Sequence, residues 1–64
     1  MTIENLAQGI KILTEHGATG YCLAAEHDII YVADASKVKM KLSVARELYK
    51  LGFFIDEESW ALFT

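Results

Sequence analysis

The sequence predicts an α+β domain in the order α-β-β-α-β-β, a small antiparallel sheet with two helices. Three observations predict it. Ile3, Leu6, Ile10 and Leu13 recur at spacings of three and four, one stripe of a helix. Apolar runs at 21–25 and 29–33 flank Glu26-His27-Asp28 closely enough to close a hairpin. Phe53–Ile55 and Trp60–Phe63 flank a second acidic turn in the same way. Hairpins need no crossover, so the helices are expected on one face of an antiparallel sheet.

The first helix is expected over 2–16. Thr2 is its N-cap, Glu4 sits in the positive first turn, and Gly17 suits the left-handed position that ends it. Gly9 costs that helix about 1 kcal/mol against alanine, so the close approach of another backbone or simple tolerance must account for it.

In the first hairpin a His27-Asp28 turn pairs Glu26 with Ile29, Ala25 with Ile30, Ala24 with Tyr31 and Leu23 with Val32. Strand side chains alternate. One face then holds Tyr21, Leu23, Ala25, Ile30 and Val32; the other holds Cys22, Ala24, Glu26, Ile29, Tyr31 and Ala33. His-Asp lacks the glycine of tight hairpins, so a four-residue turn in the same register is the alternative.

Residues 34–42 alternate Lys37, Lys39 and Lys41 with Val38, Met40 and Leu42, as an edge strand or an extended connector would. Ser43 is expected to cap a second helix that turns Val44, Leu48 and Leu51 inward and stops at Gly52. The closing hairpin, with Asp56-Glu57-Glu58-Ser59 as its loop, pairs Ile55 with Trp60 and Phe53 with Leu62. Those four side chains share one face, and Phe54, Ala61 and Phe63 share the other.

With 64 residues the chain is expected to form one domain, near the lower limit for folding alone. Small domains add a staple, and a single cysteine, Cys22, offers no internal disulfide. The hydrophobic fraction of 53% then favours self-association, and a homodimer is expected. A net charge of −3 argues against a general nucleic-acid binder. The first twenty residues lack the apolar core of a signal peptide, and no stretch is apolar enough for a membrane helix. With one thiol, a cytoplasmic setting is expected.

Four groups invite a chemical role. Glu26, His27 and Asp28 offer an imidazole between carboxylates for a metal or for acid–base work, though neighbours at a strand end diverge. Cys22 lies within a strand, where a structural thiol is the plain reading. Lys37, Lys39 and Lys41, with Tyr31 or Tyr49 to stack bases, would be a weak nucleic-acid contact. Asp56, Glu57 and Glu58 lack the spacing of a calcium loop. None makes a catalytic constellation, so the chain is read as a non-enzyme without cofactor or metal. The aromatic excess is different in kind. Ile29, Tyr31, Phe54 and Phe63 fall on the second faces of the two hairpins and would form an exposed patch suited to a protein partner. Were the helices on opposite faces, the chain would cover that patch itself.

At AEHDIIYV (25–32) and LGFFIDEESWALFT (51–64) the chain resembles small phage- and prophage-encoded proteins of unassigned function. They share a Glu-His-Asp-x-Ile-Tyr-like hairpin, a Leu-Gly-aromatic segment, acidic residues, and Ser-Trp-Ala before a terminal aromatic. The lysine-rich connector departs from that pattern. The resemblance implies a compact α+β module of mobile-element origin, active in a bacterial host cell, and brings no chemistry with it.

Overall fold

The computed structural model describes residues 2–20 and 24–63. The order is α1 (Ile3–Glu15), β1 (Ala24–Glu26), β2 (Ile29–Asp34), a 3-10 turn (Ala35–Lys37), α2 (Leu42–Lys50), β3 (Phe53–Asp56) and β4 (Ser59–Phe63). The fold is α+β, and the strands form one antiparallel sheet in the order β1-β2-β4-β3.

Helix α1 starts as the sequence dictates. Thr2 Oγ1 accepts the Asn5 backbone N–H at 3.0 Å, satisfying one of the donors that a helix start leaves without a partner. At its end Gly17 has φ +114°, a conformation that side chains disfavour. Gly9 is explained by close approach, but of a ring rather than a backbone. A Cβ there would overlap Cε1 and Cζ of the buried Phe53.

Leu13 of α1 and Ala45 and Leu48 of α2 meet Phe53, Trp60 and Leu62 of the sheet in one core, so both helices lie on one face. Leu13, Leu48 and Leu62 are fully buried, each worth about 2–3 kcal/mol relative to exposure. The first hairpin keeps the expected register over its described residues, Glu26 with Ile29 through Ala24 with Tyr31. The pairing of Leu23 with Val32, the faces of Tyr21 and Cys22, and the reading of Cys22 lie outside the described residues.

Four expectations are corrected. Ala33 was placed on the face of Tyr31, yet it pairs with Trp60 and is buried in the core. A bulge between Tyr31 and Ala33 adds one residue to β2, which returns Ala33 to the helix side. The stretch after β2 begins with a 3-10 turn, not an edge strand, because Asp34 Oδ1 accepts both the backbone N–H and the hydroxyl of Ser36, at 2.9 and 2.8 Å. Helix α2 starts before Ser43. Its N-cap is Lys41, which has no side-chain cap; its carbonyl accepts from Val44 and Ala45. Finally, the closing turn has two residues, not four. Asp56 pairs with Ser59, and Glu57 and Glu58 turn the chain at φ +50° and +64°.

Candidate functional site

Strand register fixes which side chains share the sheet face away from the helices. Glu26 lies beside Ile29, Ile29 beside Phe63, Tyr31 beside Ala61, Ala61 beside Phe54, and Asp34 and Asp56 flank Ser59. Thus Ile29, Tyr31, Phe54 and Phe63, drawn from two hairpins far apart in sequence, lie on one surface. The join between β2 and β4 brings them together.

The rings of Phe54 and Phe63 stand 4.9 Å apart between centroids and tilt by 31°. That separation lies within the range that aromatic pairs adopt. Phe63 is 56% exposed, while Phe54, Tyr31 and Ile29 are half-buried. Ala61 is fully buried on this face, between Tyr31 and Phe54 of the neighbouring strands.

Tyr31 reaches across β4 and donates its hydroxyl to Asp56 Oδ2 at 2.8 Å. The bond, then desolvation, then the charges of Asp56, Glu57 and Glu26 push the Tyr31 pKa up to about 12. At the same end, the two bonds from Ser36 hold the Asp34 carboxyl below its usual range. The Ala35 N–H donates to the Glu58 carbonyl at 2.8 Å and ties the 3-10 turn to the closing hairpin.

The other sequence candidates do not converge. His27 and Asp28 form an exposed turn, with His27 at φ +53°. His16 stands at the end of α1, its Nδ1 within 2.8 Å of the Ile12 carbonyl. Among the described residues, no three His, Cys, Asp or Glu side chains group closely enough to hold a metal ion. Lys37 ends the 3-10 turn, and Lys39 and Lys41 are exposed on the connector beyond it. Neither proposed stacking ring joins them. Tyr31 lies on the sheet face away from the helices, and Tyr49 packs on Trp60 with centroids 5.5 Å apart.

A groove of about 310 Å³ runs between α1 and β2, lined by Ile10, Leu13, Thr14, Val32, Asp34 and Lys37 among others. It is at the small end for ligand sites. The Thr14 hydroxyl is engaged locally, donating to the Lys11 carbonyl.

Sequence reasoning found the four apolar residues of the open face but not Asp56, which it assigned to a loop. Carrying the Ile55–Trp60 pairing one step further puts Asp56 beside Ser59 on that face, so the signal was present. No described helix is long and apolar enough to cross a membrane. No family model, curated protein or solved structure matches the chain.

Proposed function

We propose that this chain is a non-enzymatic protein–protein interaction module whose open sheet face makes the contact. The observation that carries the reading is the pair Phe54 and Phe63 on that face, Phe63 exposed and Phe54 half-buried. Contiguous exposed aromatic surface is uncommon on a soluble monomer, and aromatic side chains dominate contact energetics. The small size of the chain adds support, since covering this face would enlarge its effective core.

A second copy is the first occupant to consider, giving a homodimer. A four-stranded sheet of this length offers a footprint of roughly 15 by 17 Å. Even doubled for side-chain relief, that falls short of the roughly 800 Å² per partner of a standard interface. Self-association through this face is therefore weak. Sedimentation over a wide concentration range tests it: the average mass should rise with concentration for the native chain and stay monomeric for Phe63→Ser. A native chain that stays monomeric throughout contradicts the homodimer.

The resemblance to phage and prophage proteins fits such a module, working in the cytoplasm of a bacterial host. The genomic neighbourhood tests that origin. A gene set among phage genes supports it, and one set within a chromosomal metabolic operon counts against it.

A further inference from the structure

The basic residues of this chain are confined to one layer, which also carries Glu4, Glu15 and Glu47. All six basic residues, Lys11, Lys37, Lys39, Lys41, Arg46 and Lys50, lie on the helices, the 3-10 turn or the connector. The strands and hairpin turns carry only acids: Glu26, Asp28, Asp34, Asp56, Glu57 and Glu58. On the open face itself, Glu26 lies in one row with Ile29 and Phe63 at one end, Asp34 and Asp56 flank Ser59 at the other, and Tyr31, Ala61 and Phe54 form the row between them. Asp34 Oδ1 is bound to Ser36, with the charge of Lys37 close enough to act on it, and Asp56 Oδ2 is bound to Tyr31.

We propose that the open face binds a basic amphipathic segment of another protein. Aliphatic or aromatic side chains of that segment rest on Ile29, Phe54 and Phe63, and its arginines or lysines meet Glu26, Asp34 and Asp56. The inference rests on the reading of this face as a contact surface and names its partner's chemistry. Charge complementarity selects this occupant over a second copy. A second copy brings the same acids and no basic residue on its strands to pair with them. A guanidinium gains twice on this surface, by pairing with Asp56 and by lying over the ring of Phe54 or Phe63. The same acids repel a phosphate backbone, so the partner is protein rather than nucleic acid.

Two synthetic peptides of equal length test the proposal, one alternating arginine with leucine and one alternating glutamate with leucine. Each is titrated into isotope-labelled protein while amide shifts are followed. The arginine–leucine peptide should shift amides of β2, β3 and β4 around Tyr31, Phe54 and Ala61, and binding should weaken as salt rises. Asp56→Asn should weaken binding about two- to fivefold, the value of one exposed charge pair. Binding of the glutamate–leucine peptide equal to or tighter than that of its basic counterpart overturns the partner's chemistry but leaves the contact surface standing. Arginine–leucine shifts confined to the helices overturn the proposal. If neither peptide nor rising protein concentration perturbs the open face, the contact reading falls as well.

Discussion

Phe54 and Phe63 lie ring against ring at 4.9 Å on the sheet face that the helices leave open. Phe54 faces Ala61 across the β3–β4 pair, and Phe63 faces Ile29 across the β2–β4 pair. The contact between the rings thus lies within the closing hairpin, and Phe63 carries it to the join with β2. Phe63 is the more exposed of the two, so its removal separates binding from folding. Phe63→Ser should cost about 1 kcal/mol or less, the value of a cross-strand aromatic pair, yet abolish self-association. Thermal melting alongside sedimentation checks both. A collapse of the fold would show that Phe63 is a core residue.

Gly9 and Phe53 make the opposite prediction. Alanine should gain about 1 kcal/mol of helix propensity, but its Cβ would enter the space held by the Phe53 ring. Gly9→Ala should therefore destabilise the chain by about 2 kcal/mol. Adding Phe53→Leu should recover part of that loss, because the two changes share one volume. Urea unfolding of the single and double variants measures the coupling. A Gly9→Ala chain more stable than the native one would refute the packing of α1 on β3.

Glu57 and Glu58 both turn the closing hairpin with positive φ, where residues other than glycine, asparagine and aspartate are disfavoured. Replacing the pair by Asn-Gly, the residues that such a turn favours, should stabilise the fold by about 1 kcal/mol. The denaturant midpoint reports it. No gain would mean that the glutamates make compensating contacts.

The hydrogen bond from Tyr31 to Asp56 predicts an alkaline effect. The folded Tyr31 pKa of about 12 lies above the ordinary value of 10.0. The native state therefore holds the proton more tightly than the unfolded chain. The stabilisation is complete below pH 10 and is lost as pH rises from about 10 to about 12. Tyrosinate absorbance should show one of the three tyrosines titrating late in the native chain, and Tyr31→Phe should remove that late component. A late component that survives Tyr31→Phe assigns the shift to another tyrosine.

Much of the fold was legible because it is local. The apolar stripe and the Thr2 cap gave α1, and alternation gave both hairpin registers over the described residues. What escaped depends on distant or unusual partners. The pairing of β2 with β4 leaves no periodic trace in either strand. The bulge at Val32 moved Ala33 to the other face only because Trp60 receives it there. Two glutamates in left-handed conformation contradict turn preferences, so the sequence reading made their turn too long. The four apolar residues of the candidate surface follow from alternation alone. Their acidic surroundings emerge only once the strand order sets Asp34 and Asp56 on the same face.

The central claim is that the open face is where this chain meets protein. The most direct measurement follows amide shifts of the labelled native chain from dilute to concentrated solution at high salt, where repulsion between the acidic ends is screened. The account predicts concentration-dependent shifts centred on Ile29, Tyr31, Phe54, Ala61 and Phe63, absent in Phe63→Ser. Shifts centred instead on α1 and α2, with the open face unchanged, would contradict it.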